Sequence, residues 1–218
     1  MQHSTYPFRL LAAAIVVVAA LVGWRSAAGP SASAPERGAG ESAVIVLAGG
    51  CYWGVEAVFE HVAGVTSAVS GFATPERDPA LEGRPHPRHR SHAEAVRIEY
   101  DPAVISYERI LEIFFTIAHD PTELDRQGPD IGPQYRSAIF VTDSAEAMRA
   151  AAYVDSLAGN GTYKRPVTTE VLRLSGFREA GDDQQDYVAR NPRSRYVIIN
   201  DLPKLEKLRR YYPAEFRS

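Results

Sequence analysis

The chain has 218 residues, of which 45% are hydrophobic and 23% charged, with a formal charge of −3. This is the composition of a soluble globular protein with enough chain for a full core, and its charge gives no reason to expect nucleic acid or a polyanionic surface as partner. The single cysteine excludes an intrachain disulfide and any multi-cysteine zinc site, so a redox-active thiol here would need resolving by another molecule.

Residues 1–28 read as a signal peptide or an N-terminal membrane anchor. Arg9 precedes an apolar run from Leu10 to Val22 that ends at Gly23-Trp24-Arg25. The run is short against the roughly 20 residues of a membrane span, which favours a cleaved signal, and small residues at Ser26-Ala27-Ala28 offer a cleavage site. Either reading makes the protein exported, periplasmic or membrane-anchored. Residues 29–42, rich in Ala, Ser, Gly and Pro, read as a flexible linker. The catalytic domain is expected over 43–213.

Ala43 to Leu47 is a continuous apolar run with a β-branched centre, the pattern of a buried strand, and it ends at Gly49-Gly50. Beyond Cys51, Val55, Val58, Phe59 and Val62 recur at helical spacing, which predicts a helix from about Trp53. A cysteine between a strand end and a helix start sits beside unpaired N–H groups at the positive end of the helix dipole. That setting predicts a reactive thiol with a pKa below that of a free cysteine. The plain alternative is a buried structural cysteine.

A turn and strand follow over 64–73. Residues 74–91 carry four prolines and hardly an apolar side chain, a loop long enough to point to function. Alternation over 92–100 predicts a half-buried strand carrying Glu94 between Ala93 and Ala95. A helix is expected from Tyr107 to about Ala118, stopping at His119-Asp120-Pro121. A polar loop over 120–134 leads to a strand at 135–141. Asp143 with Glu146 makes a capping box for a helix reaching about Leu157. A strand over 167–174 precedes a tail that reads as mostly irregular, with a short helical piece near Leu205 to Arg210. This order predicts an α+β sandwich with helices packed on a mainly antiparallel sheet.

A nucleophilic Cys51 needs a proton source for the leaving oxygen, and a carboxyl group kept neutral by burial can supply it. Glu94 is the candidate, its flanking alanines providing an apolar setting; the alternative is a surface carboxylate. Tyr52 and Trp53 can wall a methyl or thioether group, or simply fill the core. His86, His89 and His92 have a spacing that would gather a metal only on a helix, which Pro85 and Pro87 forbid. A Cys–His hydrolase pair is the second reading, but no partner is marked for His61, His92 or His119.

Gly50-Cys51-Tyr52-Trp53-Gly54, His92-Ala93-Glu94-Ala95-Val96, Tyr100-Asp101-Pro102 and His119-Asp120-Pro121-Thr122 come in an ordered set. With them come Arg126-Gln127-Gly128, Asp130 and Gln134-Tyr135-Arg136-Ser137-Ala138-Ile139. Together they resemble the A-type peptide methionine sulfoxide reductases, over about Val44 to Pro213. The resemblance implies a ferredoxin-like two-layer sandwich and thiol-dependent reduction of methionine S-sulfoxide, free or in proteins. It makes Cys51 the nucleophile, Glu94 the acid, Asp130 and Tyr135 residues that bind the oxygen and order the site, and Tyr52 and Trp53 the holders of the substrate methyl. It implies no bound cofactor or metal, and an external thiol reductant, thioredoxin or glutaredoxin with glutathione, to reduce the Cys51 sulfenic acid. The family also places a tyrosine in the loop before His92. Asp78-Pro79-Ala80-Leu81-Glu82 has none, which predicts a slower enzyme by about one neutral hydrogen bond, ~1 kcal/mol. Resolving cysteines near the C-terminus, common in the family, are absent, and Gln184 stands where His is common. The alternative is a redox-sensing or Met-sulfoxide-binding module of the same fold.

Overall fold

The computed structural model describes residues 42–76, 92–159 and 161–218. The leader, nearly all of the linker and the loop over 77–91, with His86, His89 and the stretch that lacks a tyrosine, lie outside the described residues. Seven strands and five α-helices follow in order: β1 Ala43–Gly49, α1 Tyr52–Glu60, β2 Val65–Pro75, β3 Ala93–Tyr100, α2 Tyr107–Ile113, β4 Arg126–Gln127, β5 Asp130–Ile131, β6 Ser137–Val141, α3 Ser144–Gly159, β7 Glu170–Glu179, α4 Tyr187–Arg190 and α5 Leu202–Tyr211. Two π-helical turns, Phe114–Ala118 and Val197–Asp201, continue α2 and lead into α5. Such turns occur mostly as local distortions near functional sites.

Five strands close into a barrel in the order β1-β3-β2-β7-β6. β1 pairs antiparallel with β3 on one side (Ala43 opposite Tyr100) and with β6 on the other (Gly49 opposite Ser137). β6 and β7 run parallel, Ala138 opposite Glu170, because the α3 crossover returns the chain to the end from which it left. The expected ferredoxin-like open sandwich is therefore corrected to a closed mixed barrel with helices around it. Closure requires β2 to bend from β3 to β7, and its ladders carry register shifts at Val65/Ser67 and at Thr74/Pro75. Bulges of this kind increase local twist and bend, which no strand pattern in the sequence announces.

The two faces of the barrel separate by period two. Val46, Ala48, Ala73, Ala93, Ala95, Ala138 and Phe140 form one cluster, supplemented only by strand residues of β7, and line the narrow interior. Ile45, Leu47, Val96 and Ile98 face outward and pack with Val58 and Phe59 of α1, Leu111 of α2, Phe114 and Leu208 of α5 in the main core. Each fully buried side chain of this size contributes about 1.5–3 kcal/mol of transfer free energy. Glu94 shares its parity with Val96 and Ile98, so it emerges on the helix-facing side, towards α1.

The C-terminal segment is also corrected. It is mostly helical, with Val188, Val197, Leu208 and Tyr212 buried. Its prolines obscure this in the sequence, yet Pro203 stands in the first turn of α5, where a missing N–H breaks no helical bond.

Candidate active site

Cys51 is the residue immediately before α1, and Gln127, Phe114 and His119 pack against its turn. Gly50 has φ +95°, a conformation that side chains rarely adopt, and a Cβ there would lie 2.5 Å from Gln127 Cγ. Gln127 is fixed by two bonds to the Asp120 backbone: it accepts from the Asp120 N–H at 3.0 Å and donates to its carbonyl at 3.1 Å. Gly49 lies against Phe114 and His119, where a Cβ would come within 2.8 Å and 3.0 Å. His119 is buried, which lowers its pKa to about 4 and leaves the ring neutral. Its Nδ1–H donates to the Phe114 carbonyl at 3.0 Å and its Nε2 accepts from Ser137 Oγ at 2.7 Å. With both nitrogens engaged away from the thiol, His119 makes no Cys–His pair. His61 bonds the Ala57 carbonyl, and His92 packs on Phe72.

Glu94 Oε2 accepts the N–H of Tyr52, next to Cys51, at 3.3 Å. Burial pushes the Glu94 pKa up to about 7, opposed by that bond and aided by the nearby Asp130 carboxylate. Ala93 and Ala95, expected to provide the apolar setting, point the other way into the barrel; the start of α1 buries the carboxyl instead. The thiol departs from the sequence expectation. Burial pushes the Cys51 pKa up to about 12, the Glu94 carboxylate adds to it and Asp201 follows, while the Trp53 N–H and Tyr196 hydroxyl lower it. Desolvation and negative charge thus outweigh the dipole of the nine-residue α1.

Asp130 lies on the short β4–β5 hairpin and Tyr135 on the 3₁₀ turn Pro133–Tyr135 just before β6. The Tyr135 pKa is raised by burial and then by Glu94 and Asp130, with Cys51 further down, so all four predicted polar residues share one neighbourhood. Tyr52 is buried and Trp53 half-buried at the start of α1.

The sequence reading noted Gln184 only as a departure from the family pattern and gave no role to what the C-terminal segment brings. The Tyr196 hydroxyl donates to Asp130 Oδ2 and also reaches Cys51. Gln184 Oε1 accepts from Trp53 Nε1 at 3.2 Å and from the Tyr52 hydroxyl at 3.5 Å. The Tyr187 ring stacks on Trp53 with centroids 3.6 Å apart. Asp201 is buried against Gly54, its carboxylate paired with Lys204 Nζ at 3.5 Å. The available signal was weak: two tyrosines in a stretch otherwise polar enough to read as loop. Among the described residues no group of three His, Cys, Asp or Glu is placed to hold a metal ion.

The arrangement is a recessed thiol with a carboxyl that titrates near neutral pH and two tyrosine hydroxyls beside it and an aromatic wall next to it. It can attack an electrophile that carries a basic oxygen on one side and an apolar group on the other. Comparison with known proteins agrees. Residues 43–215 match the family model described as peptide methionine sulfoxide reductase. The chain is 43% identical over 173 residues to the peptide methionine sulfoxide reductase MsrA 2 of Synechocystis, covering 79% of this chain and 81% of that one. Among solved structures, methionine sulfoxide reductase A of Corynebacterium diphtheriae is 33% identical with a TM-score of 0.57, covering 71% of this chain and 77% of its own. The reduced form of Mxr1 from Saccharomyces cerevisiae is 27% identical with a TM-score of 0.58, covering 71% and 88%. Both likenesses support the barrel architecture in place of the sandwich. The chain belongs to the peptide methionine sulfoxide reductase family, A type.

Proposed function

We propose that this protein reduces methionine S-sulfoxide, free or within proteins, through a sulfenic acid on Cys51. The observation that carries the reading is the Glu94 carboxyl, with a pKa pushed up to about 7, hydrogen-bonded to the residue next to the only cysteine. The protonated carboxyl gives its proton to the sulfoxide oxygen as Sγ attacks the sulfoxide sulfur. The thiol proton then passes to the Glu94 carboxylate, whose charge favours keeping it. The S–O bond to the substrate breaks, methionine leaves, and Cys51 carries the hydroxyl as S–OH. A raised thiol pKa fits this order, because the nucleophile ionises only as the oxygen is protonated. Tyr135 donates to the oxygen, Tyr196 orders the Asp130 carboxylate through its own hydroxyl, and Tyr52 with Trp53 receives the substrate methyl.

Completion requires two thiols from outside: one displaces water from the sulfenic acid to form a mixed disulfide, and the second releases Cys51. Thioredoxin, or glutaredoxin with glutathione, has the required chemistry. The apolar run of the leader supports delivery across or onto a membrane, which N-terminal sequencing of the mature protein tests. The central experiment is turnover of the two sulfoxide epimers with thioredoxin, glutaredoxin plus glutathione, and dithiothreitol in parallel. Consumption of the S-epimer, lost in Cys51→Ser, is expected. Mass spectrometry should find one sulfenic acid on Cys51 after one equivalent without reductant. A protein that binds sulfoxide peptides yet never gains that oxygen is a binding module, and the reductase reading then fails.

A further inference from the structure

We infer that Glu56 is a positioning residue for the substrate pocket: its carboxylate clamps the 184–187 segment so that Gln184 and Tyr187 fix the Tyr52–Trp53 wall. The inference rests on the assignment of that wall to the sulfoxide substrate. Glu56 follows Tyr52 by four residues and Trp53 by three on α1, so one face of the helix presents both the aromatic wall and the carboxylate. The carboxylate is almost wholly buried, 1% exposed, and takes no part in the chemistry derived above. Its Oε1 accepts the N–H of Ser70 on β2 at 3.1 Å, and its Oε2 accepts the N–H of Asp186 at 3.1 Å. One side chain thereby ties a helix, a barrel strand and the C-terminal segment together.

The bond to Asp186 comes at a strained place. Asp186 is non-glycine with φ +51°, a left-handed conformation that needs outside support. The kink turns the chain, so that Gln184 on one side bonds Trp53 and Tyr52 while Tyr187 on the other stacks on Trp53. Gln185 braces the same point from the opposite side, accepting from the Ser70 N–H at 2.9 Å and donating to the Ser70 carbonyl at 2.9 Å. The Ser70 N–H is shared with Gln185, so the Asp186 N–H is the donor that depends on Glu56; the two carboxylate oxygens serve both donors at once, which an amide with one oxygen does not.

The test uses the full chain carrying Trp24→Phe, so that Trp53 is the one indole that emits, with and without Glu56→Gln. The amide keeps the shape but turns its NH₂ towards one of the two N–H groups. KM for methionine S-sulfoxide should rise about tenfold with kcat within about twofold, the signature of lost binding. Trp53 emission should shift as Tyr187 leaves its face, while alkylation of Cys51 stays at the parent rate. In a Gln184→Leu background the KM effect of Glu56→Gln should largely vanish, since both act through one segment. Unchanged KM and emission, a fall in kcat at constant KM, or fully additive effects would each overturn the inference. Hydrogen exchange on the parent protein needs no variant to fold: the Asp186 amide should be protected, and free exchange there also overturns it. If the parent turns over no sulfoxide, the reductase reading fails, and emission and exchange still decide the clamp.

Discussion

Replacing Glu94 by Gln separates the two jobs that the geometry assigns to this side chain. Gln can still accept the Tyr52 N–H, so the local structure holds, but it has no proton to give. A positioned general acid is worth about 10²–10⁴ in rate, and kcat/KM should fall by that order. In the parent, kcat/KM should decline about tenfold per pH unit above pH 7 as the carboxyl ionises. The thiol should respond in the opposite direction. The Glu94 carboxylate is the second cause, after burial, that raises the Cys51 pKa, so its removal should bring the pH midpoint of iodoacetamide alkylation down by about one unit. Stability gives a third readout. The Glu94 pKa rises from 4.5 to about 7 on folding, so its contribution is fully present below 4.5 and is lost as pH rises through 7. Gln keeps its neutral state throughout. The variant should therefore match the parent near pH 4 and exceed it at pH 8 by about 1–2 kcal/mol, once solvent screening of a half-buried group is allowed for. A dead enzyme with slower alkylation and lower stability at pH 8 would refute this account, because Glu94 would then be holding the turn.

Other substitutions probe the surroundings of the thiol. Gly54→Ala would ordinarily gain about 1 kcal/mol of helix propensity, but its Cβ would run into Asp201 Oδ1 and Lys204 Nζ. Forcing the buried Asp201 carboxylate and its lysine to shift costs about 1–3 kcal/mol, so a net loss of up to about 2 kcal/mol is expected in urea unfolding, and a more stable variant would contradict it. Tyr196→Phe removes the donor to Asp130 and the hydroxyl beside Cys51, and kcat/KM should fall about 10–100-fold with little change in Tm. Parent-like turnover would remove Tyr196 from the site. Gly50→Ala meets both an unfavourable φ and Gln127, so it should slow turnover and lower the Tm together; a fully active, equally stable variant would show that the turn is looser than described.

Much of the site was legible because its parts lie where local patterns end. β1 stops at two glycines, α1 starts at once, and period two puts Glu94 on the face of β3 that meets α1. Cys51 and Glu94 could be picked as candidates from the residues themselves, at the margin of a strand or helix, whereas Asp130 and Tyr135 came only from the family resemblance. Closure of the barrel was not legible, since it depends on where β2 bends and on β1 finding partners on both edges, and edge pairing leaves no mark in a strand's own pattern. Nor was the direction of the Cys51 pKa. The local argument sees the helix dipole, whereas burial and the carboxylates of Glu94 and Asp201 reach the thiol only when β3 and the C-terminal segment fold over it. The same holds for Tyr196, Gln184 and Tyr187, which come to Cys51 and Trp53 from more than a hundred residues away in the chain. Residue types alone offer Cys51 as a candidate nucleophile and Glu94 as a candidate acid, since those capacities belong to the side chains. Their protonation depends on the folded chain, because desolvation and Coulomb interaction act through space and take no account of distance along the chain.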